Sequence, residues 1–509
     1  MISQHLAILP ILIPLFTALL QLLPWGDRPQ PIRRALGLAA TLLNIVVVLS
    51  LLQQVSTKSI IVYALGDWQA PFGIVLMVDQ LNALMVTITA LLAFPVLLYG
   101  CYAEDNLGSH FQALFQFQLM GIFGAFLTGD LFNLFVFFEV LLISSYALLM
   151  HGGGKWRIRA CLHYVLLNLT GSALFLISLG VIYGATGTLN MADLSQQMST
   201  LQGDRAALAY AGGMLLLVVF GLKSAILPLH FWLPQAYSTT SGVAAALFAI
   251  MTKVGIYAII RVFTLIYGAE AGSLSGIGHD WIWPLGMLTL AAGALGVLAA
   301  RDLRLLIAYL VVISVGTMLA SFSFATVETT SATLFYMVHS TFITGALFLL
   351  ADIVAFERGK TASRIVSGRR LAHHGLLSVA FLLAAITIIG IPPLSGFVAK
   401  LFILAAPQMD TQGFWLWAFI LPTTLTILVT VSRAGSKMFW HTLAGKPGDQ
   451  RTPRGKLVAM FMLLAVSIAM TLFAQPIKDY TDATAKQLSD IAHYRQAVLR
   501  PELGGNHVD

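Results

Sequence analysis

The sequence predicts an all-α polytopic membrane protein of about fourteen transmembrane helices, in which spans 4–8 and 9–13 form two five-helix inverted repeats, each with a broken helix. Three observations predict it. Of 509 residues, 58% are hydrophobic and 10% charged, where soluble domains carry about 25% charged residues. Apolar runs of membrane-spanning length recur along the chain. Two of these runs are interrupted by prolines, at "LPLHFWLP" (227–234) and "GIPPLSG" (390–396).

The runs follow in order. The first, at 5–24, lacks a basic leader and a clear small-residue cleavage site, so it is expected to stay as a helix. With 34–53 and 76–100 it makes an N-terminal group, residues 1–110. Runs at 111–128, 131–150, 161–185, 208–231 and 241–265 make the first set of five, residues 111–266. Runs at 282–300, 305–324, 331–354, 373–390 continuing to 408, and 413–432 make the second, residues 282–432. In each set the fourth run holds the prolines. Residues 433–509 hold a loop, a last span at 456–474 and a tail. The tail has a helical pattern of mixed charge, read as an amphipathic or partner-contacting helix or as a solvated end.

Charge placement orients these runs. Alternate loops carry Arg28, Arg33 and Arg34; Lys155, Arg157 and Arg159; Arg301 and Arg304; Arg358, Lys360, Arg364, Arg369 and Arg370; then Arg433, Lys437, Lys446, Arg451, Arg454 and Lys456. The opposite loops offer at most Lys58, Arg205 and Arg261. Positive loops face the cytoplasm, so both termini are expected outside it, which requires an even number of spans. The net charge of +7 is thus spent on topology and does not point to nucleic acid. Cys101 and Cys161 form no CxxC and cannot hold an iron–sulfur cluster alone. There is no GxGxxG, and "HGGGKW" (151–156) lacks the spacing and hydroxyl of a P-loop. No cofactor is expected.

A short list of charges remains inside the apolar runs: Glu139, Lys223, Lys253, His339 and Lys400. Asp79 and Asp352 lie nearer span ends and read as interfacial. Each has a plain alternative, since a lone histidine can join two helices and a lysine near an end can snorkel. The three lysines are several residues from their span ends, and with Glu139 they cost on the order of 10 kcal/mol to insert. Residues of this kind default to function, and together they read as a proton relay. Burial disfavours a charged lysine and a nearby carboxylate favours it. Moving Glu139 and Lys223 apart would therefore send a proton onward, through Lys253 to His339 and Lys400. The prolines would let the surroundings move and hydrate.

"GLKSAILPLHFWLPQAY" (221–237) and "TGDLFNLFVFFEVLLISSYALL" (128–149) resemble the lysine–proline–histidine and glutamate segments of a known family. That family is the antiporter-like proton-channel subunits shared by respiratory complex I and the Mrp-type multisubunit cation/proton antiporters. "PFGIVLMVDQLNALM" (71–85) and "GIPPLSGFVAKLFIL" (390–404) extend the resemblance, which covers nearly all of spans 3–13 and is closest to the D-type Mrp subunits. Tyr237 stands where complex I relatives usually have histidine, and Ser238–Ser241 lacks a proline many of them carry; both fit the Mrp type. The resemblance implies proton-path roles for Glu139, Lys223, Lys253, His339 and Lys400. It also implies H⁺ and Na⁺ as transported ions, other membrane subunits as partners, and a bacterial inner membrane. The alternative is a redox-driven subunit of a complex I-like NADH:quinone oxidoreductase or membrane hydrogenase. A self-sufficient solute transporter and a passive scaffold are the other classes. Few acidic residues lie in the spans, so no oxygen-rich sodium cage is evident.

Overall fold

The computed structural model describes residues 5–23, 30–57, 60–108, 110–443 and 450–499. The loop charges Arg28, Lys58 and Lys446, and the tail beyond 499, lie outside the described residues. Among the described residues, eleven helical runs are long and apolar enough to cross a membrane. Four shorter apolar helices accompany them: Leu9–Leu22, Phe111–Leu127, His374–Ile389 and Ser395–Ala405. The chain is a mostly helical polytopic membrane protein.

The N-terminal group is α1 (Leu9–Leu22), α2 (Gln30–Thr57) and α3 (Gln80–Gly100). Between α2 and α3 the structure departs from the all-helical expectation. Strands β1 (Ile61–Ala64) and β2 (Val75–Val78) pair antiparallel, with Ile61 opposite Val78. The Val75 carbonyl also accepts from Gly129 N–H at 2.9 Å, a long-range anchor that local patterning does not reveal.

The middle of the chain is α4 (Phe111–Leu127), α5 (Leu131–Met150), α6 (Lys155–Thr186), the short α7 (Met191–Met198), α8 (Gly203–Ser224), α9 (Trp232–Thr239), α10 (Gly242–Phe248) and α11 (Met251–Leu265). The eighth span, expected to be continuous, is broken between α10 and α11. Tyr237 Oη donates to the Phe248 carbonyl at 2.7 Å, and Ala249 and Ile250 turn through tighter three-residue bonds to Ala246 and Leu247.

Next come α12 (His279–Ala299), α13 (Leu303–Phe322), α14 (Val327–Arg358), the pair α15 (His374–Ile389) and α16 (Ser395–Ala405), and α17 (Thr411–Gly435). The chain ends with α18 (Arg454–Leu472), α19 (Ala474–Ser489) and α20 (Ile491–Leu499). The described part of the tail packs one face on the rest of the protein and leaves the other exposed. Tyr480 Oη donates to the Gln80 carbonyl at 2.9 Å, Ser331 bonds Thr481 at 3.0 Å, and Arg495 pairs with Glu270 at 2.8 Å.

Helices meet where glycine permits. Gly121 and Gly124 of α4 lie against Leu141 and Phe137 of α5; Gly293 and Gly296 of α12 lie against Ile313 and Tyr309 of α13. Each residue of the second contact stands 172 positions after its counterpart in the first. The bounds of α6 and α14, and the capping residues Asp130 and Asp302 of α5 and α13, keep the same interval.

The basic loops share one face. Arg34 pairs with Asp105 at 2.5 Å, Arg157 donates to the Thr239 carbonyl, and Arg304 reaches both the Thr240 carbonyl and Asp352. The hairpin, α7 and the tail share the other. Arg261, expected as a loop charge, is instead buried in α11 and pairs with a buried Asp79 at 2.6 Å. Asp79 caps the start of α3, at a span end as expected, and its carboxylate is buried in this pair.

Candidate proton-path site

Lys223 occupies the last turn of α8, which stops at Ala225 in a left-handed conformation (φ 62°). The break before Pro228 leaves few backbone groups unmet. Trp232 Nε1 donates to the Leu222 carbonyl at 3.0 Å, and Leu227 N–H donates to Thr289 Oγ1 at 2.9 Å. In a membrane such substitution is what makes a broken helix tolerable.

The buried Lys223 ammonium donates to Asn168 Oδ1 of α6 at 3.2 Å and stands 5.9 Å from the centre of the Phe138 ring. Beside it Gly171 of α6 makes room for Leu222: a Cβ there would lie 2.5 Å from the Leu222 side chain. Glu139, half-buried on α5, accepts from Ser172 Oγ. Glu139 and Lys223 therefore make no direct ion pair, contrary to the simplest reading of the sequence. Asn168 and Ser172, one turn apart on α6, take one partner each. Sequence reasoning missed both; their spacing with Tyr164, four residues apart in an apolar run, was the available signal.

Lys253 sits in the first turn of α11, just past the unexpected break. It is fully buried, and its ammonium has no hydrogen-bond partner among the described residues. Two residues on, Gly255 packs on Ser224, where an added Cβ would collide with Ser224 Oγ. The first turn of α11, which carries Lys253, is thus packed on the end of α8.

His339, buried in α14, bonds Ser395 Oγ through Nδ1 at 3.0 Å. Ser395 bonds Ser467 of α18 at 2.7 Å, and Ser467 bonds Thr387 of α15 at 3.3 Å. These three hydroxyls were also missed, because serine and threonine are common in membrane helices. His339 lies close enough to Lys253 and Lys400 for both charges to act on its ring.

Lys400, on α16, reaches back across the second break. Its ammonium donates to the Ile389 carbonyl at 2.8 Å and to Thr424 Oγ1 at 3.0 Å. The stem passes over Gly390 (φ 82°), where a Cβ would meet Lys400 Cδ at 2.9 Å. The structure thus yields two hydrogen-bonded clusters around Lys223 and His339, an unpartnered Lys253, and Lys400 at the second break. No direct hydrogen bond joins Lys253 to its neighbours among the described residues.

The fold defines a class: polytopic helical membrane proteins with a lysine at each of two proline-broken helices, Lys223 buried and Lys400 part-buried. Residues 128–426 match the family model described as "NADH:quinone oxidoreductase/Mrp antiporter, TM", and the chain belongs to that family. It is 39% identical to a D-type chain of Rhizobium meliloti (strain 1021) named as a probable K⁺/H⁺ antiporter component, over 98% of this chain and 99% of that one. It is also 39% identical to the D-type chain of the Na⁺/H⁺ antiporter of Bacillus subtilis (strain 168), over 98% and 100%. A chain in the solved Mrp complex from Dietzia sp. DQ12-45-1b superposes with a TM-score of 0.88 at 26% identity, over 98% and 100%.

Proposed function

We propose that the chain is the proton-translocating subunit of a multisubunit monovalent cation/H⁺ antiporter in a bacterial inner membrane. Protons move through Glu139, Lys223, Lys253, His339 and Lys400. The observation that carries this reading is the placement of Lys223 and Lys400 at the two proline-broken helices, with Lys253 and His339 both buried in the helical body. Asn168 holds the Lys223 ammonium and Ser172 the Glu139 carboxylate, one turn apart on α6; Ser395, Ser467 and Thr387 extend the path from His339. Sodium is the expected cation, and potassium, named for a relative of equal identity, is the comparison to run.

The same reading takes the chain as fourteen spans, with residues 111–266 and 282–432 as inverted repeats between an N-terminal group (1–110) and a C-terminal part (433–509). The 172-residue interval supports it. So does a second interval of 165 residues, which relates Ala225 to Gly390 and Pro228 to Pro393. At both breaks the residue after the left-handed turn bonds back five residues: Ile226 to Gly221 at 2.9 Å, Ile391 to Ile386 at 3.0 Å. Inversion is supported by the starts of α5 and α13, the first beside the hairpin and the second beside the basic loops. The charges are not repeated, since these intervals set Val311 against Glu139 and Ile388 against Lys223. Each half keeps the scaffold and carries different proton carriers.

The test is exchange in everted vesicles from cells expressing the complete set of antiporter subunits. Lys223→Ala should abolish ΔpH-coupled Na⁺ exchange at normal protein abundance, because removing a buried cation relieves an insertion cost. Normal exchange by that variant would remove Lys223 from the mechanism. Flavin or iron–sulfur absorbance in the purified complex would favour the redox-linked alternative.

A further inference from the structure

At the face of the basic loops, a carboxylate outside the relay is buried with one oxygen unanswered. Glu104 lies in the tight turn Glu104–Asn106 between α3 and α4 and is 6% exposed. Its Oε2 has no hydrogen-bond partner among the described residues, while its backbone carbonyl bonds His151 Nε2 at 3.0 Å. The neighbouring Asp105 is satisfied by Arg34 at 2.5 Å, so the open oxygen belongs to Glu104 alone in this turn.

The groups around it come from every element meeting there. Asp352 of α14 accepts from Tyr99 Oη of α3 at 2.7 Å and pairs with Arg304 of α13; Lys456 of α18 stands 4.0 Å from it. Arg157 of α6 completes the set and is fixed to the His151 and Thr239 carbonyls. Glu104 meets this set through His151, whose ring bonds the Glu104 carbonyl and whose own carbonyl holds Arg157.

We propose that Glu104 is a proton-binding site on the basic-loop face, whose occupancy sets how firmly Arg304 and Lys456 hold Asp352. Ionised, Glu104 competes with Asp352 for those two cations and repels it. Protonated, it leaves both cations to Asp352, and burial no longer penalises a charge on it. The cluster ties α3 to α13, α14 and α18, so one proton changes the clamp on four helices. Burial first, and Asp352 second, raise its pKa from 4.5 to about 7 against the three cations.

The site is tested by infrared titration of the purified complex, wild type against Glu104→Gln. The difference spectrum should contain a carboxylic-acid C=O band that disappears with a midpoint near pH 7. Lys456→Gln removes a cation that favours the ionised form, so the midpoint should rise. A band vanishing near the ordinary pH 4.5, or a midpoint unmoved by Lys456→Gln, overturns the proposal. A transport arm, which rests on the antiport reading, follows exchange against pH at the basic-loop face. Glu104→Gln should keep exchange but lose the inflection near pH 7; an unchanged profile counts against the site. The infrared result stands whether or not the chain proves to be part of an antiporter.

Discussion

Lys400 carries two separable duties. Its ammonium closes the Ile389 carbonyl left open by the second break, and it is the last charge in the proposed path. Arginine would keep several donors for that carbonyl, but guanidinium hardly deprotonates at any accessible pH. Lys400→Arg should therefore fail nearly as badly as Lys400→Ala in everted-vesicle exchange if proton transfer is its task. An arginine variant near wild-type rate would leave Lys400 as a clamp. Asn168 poses a similar question at the other end. A hydrogen bond to a charged group is worth about 1.5–3 kcal/mol, so Asn168→Ala should slow exchange by about tenfold or more. Exchange at the wild-type rate would show that Lys223 does not need that amide.

At the scale of the element, the two breaks use the same turn with different residues. Ala225 takes the left-handed conformation at the end of α8, and Gly390 takes it at the end of α15. That region costs an L-residue about 1–2 kcal/mol, and glycine almost nothing. Ala225→Gly should then raise the thermal stability of the detergent-solubilised protein, by about 1 kcal/mol. Gly390→Ala should lower it by more, since its Cβ would also meet Lys400 Cδ at 2.9 Å. Equal and opposite shifts would mean that contact with Lys400 contributes nothing. These elements also mark what sequence could reveal. Prolines and lysines stood out because lipid penalises both. The break before Lys253 did not, because no proline makes it. It depends on the Tyr237 hydroxyl reaching the Phe248 carbonyl, a tertiary contact with no local signature.

At the scale of the whole molecule, alternation of charge was the most informative pattern, and long-range pairing the least. The basic loops were legible as a set, and their side chains meet on one face. The hairpin and the folded-back tail were not, because their partners lie far away in sequence: Tyr480 bonds Gln80, and Arg495 bonds Ser195 and Glu270. Which face is cytoplasmic is a separate proposal, resting on the positive-inside rule. It can be tested with single cysteines, because the native Cys101 and Cys161 are buried and can be replaced by alanine. Lys155 is exposed at the start of α6, and Ser489 is exposed at the end of α19. In intact cells a membrane-impermeant maleimide should label Ser489→Cys and spare Lys155→Cys, and in everted vesicles the pattern should reverse. Labelling of both from one side would require an even number of crossings between them and would break the fourteen-span reading. Reversal of the pattern would keep the span count but place the basic loops, and Glu104 with them, on the outer face.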